Sequence, residues 1–96
     1  MSKKIDDSER KPLVFIADVD GLVERTVVAG RTAGNARYQV YLFLRDVGYP
    51  QSFADIKIRR APNYDSLANY LATRHMCIDL SYADTLKENI ENADRS

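Results

Sequence analysis

Ninety-six residues carrying 14 basic and 14 acidic side chains, a formal net charge of zero and 45% hydrophobic content describe one folding unit with enough apolar material for a core. That balance excludes a strongly basic nucleic-acid binder judged on totals, and Cys77, the only cysteine, excludes an internal disulfide. No apolar run approaches the ~18 residues of a membrane span, and the polar start has no apolar leader core, so the expectation is a cytoplasmic chain in a reducing compartment with no membrane partner.

Residues 1–11 (MSKKIDDSERK) hold one apolar side chain beyond the initiator, Ile5. They cannot repay the cost of ordering, which predicts a flexible tail ahead of a single α+β domain over 12–92 and a frayed end over 93–96. Residues 13–19, LVFIADV, are apolar and rich in strand formers. Asp20-Gly21 then signals a hairpin, because glycine accepts a positive φ, and 22–28 reads as the return strand. A three-residue loop would pair Ala17 with Val23, Phe15 with Arg25 and Leu13 with Val27. That register puts Leu13, Phe15, Ala17, Val23 and Val27 on one face; it is preferred to a two-residue loop, which sets Ala17 opposite Glu24 and Phe15 opposite Thr26.

Thr32 is placed to cap a helix over 33–47, with Gly48 as its stop and Pro50 beyond. Residues 54–61 alternate Ile56 and Ile58 with Lys57 and Arg59, the pattern of a half-buried strand. Asn63 or Asp65 can cap a second helix running to about Met76, and a third spans about 81–92 with Leu86 and Ile90 four apart. The order is β-β-α-β-α-α. It predicts a three-stranded, antiparallel-type sheet packed on one helix and followed by two C-terminal helices.

Two features go beyond a generic small domain. In the helix over 33–47, Ala36, Val40, Phe43, Leu44 and Val47 share one side at about 100° per residue, which makes that side the core stripe. Tyr38, Tyr41, Leu42 and Arg45 form a second stripe opposite. A surface helix has one apolar stripe, so the second must be covered, either by the C-terminal helices or by a dimer or partner surface, where Tyr and Arg concentrate. The second feature is charge segregation. Residues 25–60 hold Arg25, Arg31, Arg37, Arg45, Lys57, Arg59 and Arg60 against only Asp46 and Asp55. Lys57 and Arg59 should point away from the helix, and Arg60 lies on the isoleucine side near the strand end. Arginine forks suit carboxylates and phosphates. The block therefore faces the chain's own acidic helices, an acidic protein surface or nucleic acid.

Catalytic and metal-binding patterns are not legible. His75, Cys77 and Asp79 form an H-x-C-x-D string whose two-residue spacing does not converge on a helix. Asp18-Val19-Asp20-Gly21 lacks the glutamate that a calcium loop needs at its twelfth position, which here is Ala29. One histidine and one cysteine two apart suggest no triad. The expectation is a protein that is not an enzyme and has no cofactor or metal.

Residues 31–62, with Arg31-Thr32, the Ala36-Arg37-Tyr38 helix opening and Asp55-Ile56-x-Ile58-Arg59-Arg60, resemble a pattern in small uncharacterised proteins of phages and prophages. The resemblance covers about a third of the chain and implies an accessory or counter-defence role, such as an anti-CRISPR-type inhibitor that binds a host protein. It carries over no residue role. The residues selected for partner binding come from the two features above: Arg31, Arg37, Tyr38, Tyr41, Arg45, Lys57, Arg59 and Arg60. The alternatives are a nucleic-acid-binding module using the basic strand and helix start, and a structural homodimer.

Overall fold

The computed structural model describes residues 11–22, 24–48 and 53–95; the expected tail lies almost wholly outside them. Strand β1 (Leu13–Val19) is followed by the Asp20-Gly21 turn, where the Leu22 amide donates to the Val19 carbonyl at 3.1 Å and Gly21 has φ 92°. The return strand β2 begins only at Thr26 and runs to Gly30. Phe15 therefore faces Val28 and Ala17 faces Thr26, three positions away from the expected register. An odd slip exchanges faces, so Val28, not Val27, joins Phe15 and Ala17. The expected register assumed one buried face. Both faces of β1 are buried, so the alternation that would have set the register is absent.

Thr32 caps helix α1 (Ala33–Asp46) through its hydroxyl, which accepts from the Asn35 amide at 3.0 Å. Gly48, with φ 81°, ends that helix, its amide donating to the Arg45 carbonyl. Strand β3 (Ile56–Arg60) follows a single 3₁₀ turn. A 3₁₀ segment (Pro62–Leu67) then leads into the short helix α2 (Ala68–Arg74), where one longer helix was expected. Proline at the start and no side-chain cap on either piece account for the tighter first turns.

Two-residue β4 (Ile78–Asp79) adds a fourth strand to the expected three, and helix α3 (Leu80–Arg95) closes the chain. The sheet order is β3-β1-β2-β4, every pair antiparallel. A two-residue strand is too short to leave a period in the sequence.

The helices take opposite faces of this sheet. Ala36, Val40 and Leu44 of α1 pack on Phe15, Ala17, Val28 and Ile56. Leu67, Ala68, Leu71 and Ala83 pack on Val14, Ile16, Val27 and Ala29 across the sheet. The C-terminal helices thus do not fold over the second stripe of α1, because they bury the other sheet face instead. Phe43 and Val47, expected in the core stripe, lie at its margin and are exposed. No helix among the described residues is long and apolar enough to cross a membrane.

Candidate functional site

The sequence end of β2 and the start of α1 are stitched together tightly. A Cβ on Gly30 would meet the Ala36 backbone nitrogen at 2.8 Å, so only glycine lets the helix approach the strand this closely. The Asn35 carboxamide oxygen accepts from the Arg31 amide at 3.2 Å and from Gln39 Nε2 at 3.0 Å. Gln39 Nε2 also donates to the Ala29 carbonyl at 3.0 Å. The first turn of α1 holds no acidic residue, so its partial positive charge is uncompensated by its own helix.

That Ala29 carbonyl lies on the β4 side of β2. The Arg25 carbonyl, four residues earlier, accepts from the Leu80 amide on the same side, and antiparallel ladders alternate their hydrogen-bonding direction. Yet β4 pairs only with Thr26 and Val27. The chain arrives late because α2 ends in a left-handed cap: His75 has φ 50°, its amide donates to the Ala72 carbonyl, and the Met76 amide turns back to the Leu71 carbonyl. From Val28 to Gly30 the edge of β2 has no strand neighbour on that side among the described residues.

A groove of about 780 Å³ opens there. One wall is α1, through Tyr38, Leu42 and Phe43; the other is the end of α2 and its cap, through Ala72, Met76 and Cys77; Ala29 and Gly30 form the strand edge between. Arg31 stands at the end nearest the helix start and Asp46 at the opposite end of α1. Arg31 Nε is buried without a hydrogen-bond partner. Burial pushes the Cys77 thiol up to about 12, so it stays protonated at neutral pH.

The residues selected from sequence do not gather in one place. Tyr38, Tyr41 and Arg45 share the outward side of α1, with the two tyrosine rings stacked at 6.4 Å and the Arg45 guanidinium 5.8 Å from the Tyr41 ring centre. Tyr38 is 51% exposed, whereas Tyr41 is half-buried against the α1 core cluster. Arg31 joins Tyr38 at the groove, and Arg37 is half-buried in α1. Lys57 and Arg59 pair with Asp18 and Ile16, which puts them on the sheet face away from α1.

Arg60 is engaged within the chain. Its guanidinium grips Asp65 with two hydrogen bonds of 2.8 and 2.6 Å, reaches the Val14 carbonyl at 3.1 Å and lies over the Phe15 ring. This pair raises the Arg60 pKa and holds the Asp65 carboxyl below its usual range. The basic block is therefore a run in sequence and not one surface. Sequence reasoning missed Phe43, assigned to the core, and missed Ala72, Met76 and Cys77, which reach the groove only through the fold.

Among the described residues no three His, Cys, Asp or Glu side chains gather as a metal-binding group. Comparison of the chain with protein-family models, curated proteins and solved structures finds no match.

Proposed function

We propose that the chain is a non-catalytic protein-binding module whose contact surface is the outward side of α1 together with the groove beside it. One observation carries this reading: Tyr38, Leu42 and Phe43, which line one groove beside α1, leave 51%, 39% and 36% of their surface exposed. Contiguous apolar and aromatic surface of this kind, with an arginine beside it, is the composition of protein contacts. The biological setting we propose is the one the sequence resemblance suggests, an accessory protein that binds and inhibits a host protein.

The dispersal of the cations disfavours the nucleic-acid alternative. Arg60 is committed to Asp65 and Arg25 lies 3.8 Å from Asp18, while Lys57 and Arg59 are on the other side of the sheet from Arg45. The non-catalytic reading is supported by His75 and Cys77. The histidine is exposed at a helix end, and the half-buried cysteine holds its proton, the opposite of an activated nucleophile.

The test is the double variant Tyr38→Asp/Leu42→Asp. Both side chains are exposed, so the circular dichroism spectrum and melting temperature should hold while affinity for a protein captured by the parent chain is lost. Capture undiminished in the double variant would place the contact surface elsewhere. A parent chain that is a dimer by light scattering, and a monomer after the double substitution, would assign the helix face to self-association.

A further inference from the structure

We propose that the outer edge of β3 receives an acidic extended segment of a partner protein as an added antiparallel strand, with carboxylates opposite Lys57 and Arg59. This surface lies apart from the α1 groove, so the proposal does not rest on the reading above.

The hydrogen-bond ladder fixes which main-chain groups face outward. The Ala61 amide donates to the Val14 carbonyl at 2.9 Å, and β3 runs against β1 with Arg59 opposite Ile16 and Lys57 opposite Asp18. Bonded pairs alternate along an antiparallel ladder, so Lys57, Arg59 and Ala61 commit their main-chain groups to β1. Ile58 and Arg60 turn theirs the other way. β3 is the outermost strand of the sheet, and among the described residues nothing bonds to those outward groups.

The cations select the occupant. Lys57 and Arg59 are exposed on one face of the strand, two residues apart, and neither meets an acidic side chain among the described residues. Asp18, opposite Lys57, lies 3.8 Å from Arg25 instead. A second copy is disfavoured. Every antiparallel register that pairs Ile58 with Ile56, Ile58 or Arg60 of the copy sets Lys57 or Arg59 against one of the same two cations, and like charges directly opposite destabilise a strand pair.

An acidic strand reverses that sign. Side chains alternate in direction along a strand. Two carboxylates two residues apart would therefore meet both cations on one face, while the residue between them lies opposite Ile58, which packs on the α1 side. Main-chain bonds supply the affinity and cross-strand pairs the selectivity. Nucleic acid offers the charge but no run of amides for the outward carbonyls.

The probe is a capped synthetic peptide of sequence TVEVEVT. With the full chain it should bind saturably and slow hydrogen exchange of the Ile58 and Arg60 amides by about tenfold, leaving Lys57 and Arg59, already bonded to β1, unchanged. Lysine in place of both glutamates should weaken binding by about tenfold, and Lys57→Glu/Arg59→Glu, with an unaltered circular dichroism spectrum, should reverse the preference. N-methylation at the valine nitrogens, which face β3 when the glutamates lie opposite the cations, should abolish binding. N-methylation at the glutamate nitrogens, which face away, should leave it within about threefold. Tyr38→Asp/Leu42→Asp should leave peptide binding within about twofold, which keeps failure here distinct from failure of the groove reading.

Binding indifferent to which nitrogens carry the methyl groups would overturn the proposal and reduce Lys57 and Arg59 to guards of a bare edge. A thymidine oligonucleotide that protects Ile58 and Arg60 as well as the peptide does would also overturn it. So would protection that appears without peptide as the chain is concentrated, the mark of a second copy. The same holds for protection in the free full chain that is lost on removing residues 1–10, because the occupant would then be the chain's own segment.

Discussion

Asp65 ties three segments with one carboxylate. Its Oδ1 accepts from Arg60 at 2.8 Å and from the Val14 amide at 3.2 Å, joining the 3₁₀ segment to both β3 and β1. The hydrogen bond from Arg60 is the main cause of its lowered pKa, partial burial opposing it. A carboxyl whose folded value lies below its unfolded value contributes stability that is fully present above the unfolded value, about 3.9, and that is lost as pH falls through the folded value. Asp65→Asn should therefore lower stability at pH 7 by about 1 kcal/mol, once screening of this partly exposed pair is allowed for. It should also flatten the pH dependence of the urea midpoint below about pH 4; an unchanged acid limb would show that other carboxylates dominate it. His75 supplies a second test. Among the described residues it is the one non-glycine with positive φ, at the cap position that glycine favours. His75→Gly should raise stability by about 0.5–1 kcal/mol in the same titration.

At the scale of elements, the decisive contact is the crossing of β2 and α1. Gly30→Ala places a methyl against backbone atoms of Ala36 at 2.8 to 3.0 Å, and backbone cannot swing aside as a side chain can. Either the helix lifts off the strand or the N-terminal turn opens, at a cost of about 1–3 kcal/mol. Because Arg31, Asn35 and Gln39 sit at that junction, the largest amide shifts should appear at Ala29, Arg31 and Gln39. A melting temperature equal to the parent's would mean that α1 is not held this close. The turn at Asp20-Gly21 makes a contrasting case. Gly21→Val forces a β-branched residue to φ 92°, a strain of about 1–2 kcal/mol, with shifts confined to the turn and the adjoining ends of β1 and β2.

Across the whole molecule, one sheet carries two cores. Ile56 belongs to the cluster under α1, and Ile78 to the cluster under α2 and α3. Each Ile→Val removes one methylene and should cost about 1 kcal/mol. The clusters share strands but not side-chain contacts, so the double variant should lose the sum within about 0.5 kcal/mol and still unfold in one transition. Two transitions by fluorescence and circular dichroism would mean that the layers melt apart. On the same scale, Lys57→Glu/Arg59→Glu should leave groove binding within about twofold of the parent, since these cations lie across the sheet and solvent screening over that distance is strong. A large loss of affinity would reunite the basic block as one surface.

Local chemistry by itself determined β1, α1, β3 and α3, but not β4, the start of β2 or the 3₁₀ opening of α2. Pro12, Asp20-Gly21, Thr32 and Gly48 punctuate the chain through backbone geometry that depends on near neighbours alone, and the 3.6-residue period of α1 marked Ala36, Val40 and Leu44 as its buried side. The apolar excess of LVFIADV was present in the sequence, but an all-apolar strand carries no period, so neither the hairpin register nor the second buried face could be read from it. Only the tertiary structure decided which sheet face the C-terminal helices cover. That choice leaves the α1 aromatic side open and scatters the arginines. The groove is made of segments more than 30 positions apart, Ala29 and Gly30 against Met76 and Cys77. Their meeting depends on where the left-handed cap at His75 sends the chain, a long-range outcome that no local pattern encodes.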